Sequence, residues 1–165
     1  MNPRASLGVF GRCLLEAEAR LAALGIELPP VGAPAANYLG CKRLGNTLYV
    51  SGHGPRIEGG FITGKVGAEC SLERAREAAR ATCLAMLATV RAELGSLDRV
   101  VGVAKVLGMV NCAPGFNNTP AVIDGCSNLL VEIFGEPGRH ARSAVGMAEL
   151  PFDISVEIEM VLEVD

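Results

Sequence analysis

From Ser155 to Val164 the chain alternates with period two. Val156, Ile158, Met160, Leu162 and Val164 fall on one face, while Ser155, Glu157, Glu159 and Glu163 fall on the other, so the run predicts a strand with one face in the core. Ala141 to Ala148 is a second strand-like apolar run, separated from the last by Leu150-Pro151-Phe152-Asp153. Arg99 to Val110 is β-branched, and Gly102, Ala104 and Gly108 would put small residues on one face, where a helix could lie close.

Elsewhere the period is helical. Leu72, Ala75, Ala79, Met86, Val90 and Leu94 form one stripe behind the N-cap Ser71, Glu73 sits in the first turn, and Gly95 stops the run. Pro120 opens a further helix carrying Val122, Ile123, Leu129, Leu130, Ile133 and Phe134 before Gly135. A shorter amphipathic helix is predicted from Gly11 to Leu24, followed by Pro29, Pro30 and Pro34, which favour an extended linker. This divides the chain into a helical extension, 1–27, and one domain, 28–165. Within that domain Tyr38 to Arg43 and Thr47 to Gly52 flank Leu44-Gly45-Asn46 as a hairpin, and Gly59-Gly60 turns into a short strand at Phe61. The order ββ(β)αβαββ implies an α+β fold, with helices on one face of a mixed β-sheet.

Composition narrows the function. With 165 residues, half of them apolar, and a net charge of −3, the chain reads as one compact domain without a polyanion-binding surface. Five Phe, two Tyr and no Trp offer little for stacking nucleic acid bases, so no nucleic acid partner is expected. The six cysteines lack Cys-x-x-Cys spacing and companion histidines, which argues against a zinc site and for free thiols in a reducing cytoplasm. Cys126, without an adjacent base, reads as core. Neither a signal peptide nor an apolar run of membrane-spanning length is apparent, so a cytoplasmic protein without a membrane partner is expected.

Arg142 stands at the head of the penultimate apolar run. If that run pairs antiparallel with the last strand, two registers are possible: the favoured one joins Val145 and Met147 to Ile158 and Val156 and puts Arg142, Ala144 and Gly146 on the face of Glu157 and Glu159, and the other leaves Val145 and Met147 on that face instead. That face would hold a guanidinium and carboxylates, with open space beside the small residues. A solvated sheet face is the plain alternative.

Arg142-Ser143-Ala144-Val145, followed by Leu150-Pro151 and Val156-Glu157-Ile158-Glu159, resembles the C-terminal signature of the RidA/YjgF family, the reactive-intermediate (enamine/imine) deaminases, also called endoribonuclease L-PSP-like. Asn37-Tyr38, Leu44-Gly45-Asn46 and Val50-Ser51-Gly52 are similar to the family's first hairpin, and the likeness runs from about residue 35 to 165. The N-terminal helix resembles a longer bacterial branch. The resemblance implies a chorismate-mutase-like α+β subunit assembling as a homotrimer, with a ligand cleft between each pair of subunits and no cofactor or metal.

By the same resemblance Arg142 grips the carboxylate of a small 2-imino or 2-keto acid, for which its planar fork suits. Glu157 positions or activates water, a role that calls for a shifted pKa in a shielded cleft. Tyr38, Ser51 and Gly52 line the cleft, and Ala144 offers only its backbone where many relatives carry Cys. Asp124 stands where relatives often have Asn, and His53 where Gln is common. Each residue has a structural alternative: an interfacial salt bridge for Arg142, a solvated carboxylate for Glu157, a packed hairpin residue for Tyr38, an ordinary loop histidine for His53 and for His140. The implied activity is hydrolytic deamination of substrates such as 2-aminoacrylate or 2-iminopropanoate. A non-catalytic trimer that binds a small carboxylate or a protein is the first alternative, and a ribonuclease the second.

Overall fold

The computed structural model of the protein describes residues 16–33 and 36–165. In chain order its elements are α1 (Ala17–Ala23), β1 (Cys41–Leu44), β2 (Thr47–His53), β3 (Arg56–Ile57), β4 (Gly60–Phe61), α2 (Leu72–Leu94), β5 (Val100–Asn111), α3 (Thr119–Phe134), β6 (Ala141–Met147) and β7 (Val156–Val164). Five strands form one mixed sheet in the order β1-β2-β7-β5-β6, and β3 and β4 form a separate hairpin beside it. The fold is α+β, as the order of elements predicts.

The local signals act as expected. Ser71 Oγ accepts from Arg74 N at 3.1 Å to cap α2, and Gly95 closes the helix in the left-handed conformation. Pro120 lies in the first turn of α3, where its missing N–H costs nothing. The two long helices cover one face of the sheet, burying Met86, Leu87, Val90, Ile123, Leu129 and Leu130 against Val106, Val110, Ile158, Met160 and Leu162. Glycine permits two close approaches here. A Cβ on Gly125 would lie 2.1 Å from the Arg76 carbonyl oxygen, which brings α3 onto α2, and one on Gly108 would lie 2.5 Å from Ile123.

Ala104, expected on the same small-residue face as Gly108, is exposed. Register shifts between Val100 and Gly102 and between Val103 and Lys105 re-aim the first half of β5, so of the three small residues Gly108 lies beneath the long helix α3, while Gly102 faces the short 3-10 turn at Pro137. α1 packs on α3 and buries Ala17 and Leu21 in the core. The earlier part of the predicted N-terminal helix, together with Cys13, lies outside the described residues.

The pairing of the last two strands differs from the expectation. β6 does not pair with β7; it lies at the sheet edge, parallel to β5, and β7 inserts antiparallel between β2 and β5. The cause is α3. As the crossover between β5 and β6 it makes them a β-α-β unit, which returns β6 parallel to β5.

The consequence for the site is direct. Val106 pairs with both Arg142 and Met160, and Gly108 with both Ala144 and Ile158, so Arg142, Ala144 and Gly146 face the helices. Met109 pairs with Val145 and with Glu157, so Val145 and Met147 share the uncovered face with Glu157 and Glu159. The two faces are thus exchanged relative to the expected register. Nor is the space beside Arg142 open as expected, since Ala144 packs against the core and a Cβ on Gly146 would meet Cys112 Sγ at 3.0 Å.

Candidate active site

Arg142 emerges from the edge strand β6 toward α3, whose Asp124 and Ser127 project from successive turns of one helix face. Its Nη1 donates to Asp124 Oδ1 at 2.8 Å and to Ser127 Oγ at 3.0 Å. The hydroxyl of Ser127 stands 3.1 Å from His140 Nε2, while His140 Nδ1 is 2.7 Å from the Gly138 carbonyl. A carbonyl only accepts, so Nδ1 carries the hydrogen, Nε2 accepts from Ser127, and the Ser127 oxygen remains free to accept from Arg142. Among the described residues neither Nε nor Nη2 of Arg142 has a hydrogen-bond partner. That edge presents two parallel N–H groups, the geometry that grips a carboxylate.

Glu157 lies elsewhere. Its side chain lies against Gly52 at the irregular end of β2, where a Cβ would stand 2.1 Å from Glu157 Oε1. Burial, and secondarily the neighbouring Glu159, raises the Glu157 pKa above the ordinary carboxylate value. The carboxyl reaches a cleft of about 280 Å³ whose walls include Pro30, Tyr38, His53, Phe61, Phe152 and Glu157. His53 braces this wall: Nδ1 donates to the Ser51 carbonyl at 2.7 Å, and Nε2 lies in hydrogen-bond contact, at 2.9 Å, with the Thr89 hydroxyl of α2, which also reaches the Ala85 carbonyl at 3.2 Å. Burial lowers the His53 pKa, consistent with a neutral ring in that role. Ser51 Oγ donates to Leu39 O at 2.7 Å and so holds the segment after Tyr38 against β2.

The candidate residues therefore fall into two groups. Tyr38, His53 and Glu157 meet at the cleft, with Ser51 and Gly52 behind them; Arg142, Asp124 and Ala144 lie on the α3 side of β6. Two strand spacings and three residues of offset separate Glu157 from Arg142, about 14 Å between Cα atoms, and the side chains leave opposite faces. One subunit does not bring them together.

Sequence reasoning overlooked Ser127, although its spacing of three from Asp124 placed both on one helix face. It also overlooked the apolar cleft wall. Pro29 and Pro30 signalled a linker, but nothing in their pattern shows that this linker folds back over the Glu157 cleft.

A family model described as "YjgF/chorismate_mutase-like, putative endoribonuclease" matches residues 18–163. The chain belongs to the YjgF family. YjgF relatives include protein TCP17 of Trypanosoma cruzi, 43% identical over 149 residues, covering 89% of this chain and 93% of that one. The 2-iminobutanoate/2-iminopropanoate deaminase of Dermatophagoides farinae is 30% identical over 142 residues, covering 85% and 95%. The crystal structure of protein Atu1372, of unknown function, from Agrobacterium tumefaciens superimposes with a TM-score of 0.83 at 44% identity over 90% of this chain and 92% of that one. No helix among the described residues is long and apolar enough to cross a membrane.

Proposed function

We propose that this YjgF protein hydrolyses 2-imino acids to 2-keto acids and ammonia in clefts formed between copies of the chain in a cytoplasmic homotrimer. One observation carries the reading: a two-donor guanidinium edge and a cleft carboxyl of raised pKa occupy opposite faces of one subunit, so each is half of a site. The face left bare by the helices presents Tyr49, Leu107, Met109, Val145 and Val161, all partly exposed, an apolar surface suited to closure against other copies.

In the assembled cleft Arg142 of one copy binds the substrate carboxylate, and Ser127 and Asp124 hold the guanidinium in place. Glu157 of the next copy takes a proton from water as the water oxygen bonds to the imine carbon, and passes it to the nitrogen as the C=N electron pair moves there, giving the carbinolamine. The same carboxylate then takes the carbinolamine hydroxyl proton and delivers it to the nitrogen as the C–N bond breaks and the C=O bond forms, so one water is consumed and one ammonia is released. Burial raises the basicity of Glu157 toward the range this exchange needs. The imine is already electrophilic, so the step needs no organic cofactor. The named activity of the Dermatophagoides farinae relative supports this reading.

The test generates imines in place with an amino acid oxidase and follows their decay. The wild-type protein should accelerate decay and Arg142→Ala should lose about tenfold or more in kcat/KM, as when a charged hydrogen bond is removed. Decay at the uncatalysed rate would refute the reading and favour a passive carboxylate-binding trimer.

A further inference from the structure

The cleft that receives Glu157 is larger and more apolar than a three-carbon imine requires. Its volume is about 280 Å³, and its lining includes the apolar residues Pro29, Pro30, Phe61, Pro151, Phe152 and Ile154. An apolar cavity of about 150 Å³ accommodates benzene, so this cleft has room for such a ring together with the reacting carbons.

Phe152 adds an independent observation. It is 76% exposed and holds φ +57° and ψ 21°, a left-handed conformation that a bulky side chain rarely adopts. Asp153 follows at φ +56°. The turn is over-determined by its neighbours: Asn111, fully buried, donates from Nδ2 to Asp153 Oδ1 at 3.0 Å, and Gly64 N donates to Asp153 O at 2.9 Å. The chain therefore holds a strained backbone in place, and the phenyl ring it displays does little for the core of its own subunit. Strain maintained in this way calls for a functional explanation.

Phe61 forms a second aromatic wall. Its ring is capped by the Arg56 guanidinium at 5.1 Å from the centroid, and a Cβ on Gly32 would stand 4.0 Å from Arg56 Nε, so the proline linker, the arginine and the ring form a continuous layer. On the lining of the same cleft as Glu157, this layer offers a flat apolar surface of the size of a ring rather than of a methyl.

We infer that the cleft selects 2-imino acids carrying a benzene-sized apolar side chain, with Phe152 and Phe61 as specificity-determining residues that enclose the side chain against Pro29 and Pro30. The inference rests on the deaminase reading for its chemistry, but the apolar subsite can be tested separately through binding of the 2-keto product.

Imines are generated from phenylalanine and from alanine by an amino acid oxidase, and phenylpyruvate and pyruvate binding is measured by calorimetry on the same full-length protein. The wild type should favour the phenylalanine-derived imine and bind phenylpyruvate more tightly. Phe152→Gly, which suits the left-handed backbone, should lower the ratio of the two kcat/KM values about tenfold, or 1.4 kcal/mol, and Phe152→Leu should restore part of it. An unchanged ratio in Phe152→Gly, or a wild-type preference for the alanine-derived imine, overturns the subsite while leaving the deaminase reading intact. If neither imine is hydrolysed but phenylpyruvate binds more tightly than pyruvate and loses that advantage in Phe152→Gly, the subsite stands and the deaminase reading falls. If neither imine is hydrolysed and the two keto acids bind alike, both fall.

Discussion

Asp124 occupies one side of the guanidinium that the proposed substrate needs, so removing its charge should strengthen binding. Asp124→Asn retains an oxygen that can accept from Arg142 Nη1, now 2.8 Å from Asp124 Oδ1, and thus preserves the orientation of the fork. What disappears is repulsion between the Asp124 carboxylate and a substrate carboxylate on the Nε/Nη2 edge, about 6 Å apart. At that distance the repulsion is about 0.7 kcal/mol in bulk water and about 2.8 kcal/mol at an effective dielectric constant of about 20. The Asp124 side chain is 42% exposed and that of Arg142 26%, which points to the lower part of the range. A value of about 1 kcal/mol predicts a fall in KM of about fivefold. The assay is imine decay against substrate concentration at low and high salt, where added salt should shrink the difference between variant and wild type. A KM that is unchanged or raised in Asp124→Asn, or a difference indifferent to salt, would refute the electrostatic argument.

Other consequences are equally direct. Gly52→Ala puts a Cβ 2.1 Å from Glu157 Oε1, and because the clash falls on the tip of a flexible side chain, activity should drop about a hundredfold with little change in melting temperature; a large loss of stability without loss of rate would contradict this. Gly125→Ala presents the opposite case, since its Cβ meets the Arg76 backbone carbonyl at 2.1 Å; unfolding should show a cost of about 2–3 kcal/mol, or roughly 6–9 °C. The raised pKa of Glu157 means the native state holds its proton more tightly than the unfolded chain, so this contribution is most favourable in acid and declines as pH rises from the ordinary carboxylate pKa through the elevated native one. Glu157→Gln should therefore be more stable than wild type near neutrality, with the gap closing toward acid; urea titrations showing the gap widening in acid would count against it. Phe152→Gly, by relieving the left-handed strain of a side chain with little burial to lose, should raise stability by about 1 kcal/mol, or roughly 3 °C.

Much of this molecule was legible before any coordinates. The alternation from Val156 to Val164 specified which side of the last strand enters the core, because strand side chains have a period of two and the segment has one apolar face. Ser71 and Gly95 marked both ends of α2 through local backbone chemistry, and Gly45-Asn46 closed the first hairpin for the same reason. The family, too, was readable from the Arg-Ser, Leu-Pro and Glu-Ile-Glu segments taken together.

The partner of each strand was decided by the tertiary structure. Period two says which residues share a face within a strand, but it does not say which strands are neighbours; α3 made β6 parallel to β5, let β7 in between, and so sent Arg142 to the helical face and Glu157 to the other. Bulges in β5 likewise shifted Ala104 out from beneath the helices, since one inserted residue reverses the alternation that sequence reading assumes. The ion pair of Arg142 with Asp124 and the folding of Pro29 and Pro30 over the Glu157 cleft are also products of packing between distant segments. Chain chemistry alone determined which residues could bind or transfer a proton. Long-range packing determined that they stand about 14 Å apart in one subunit, because the distance between strands depends on sheet order.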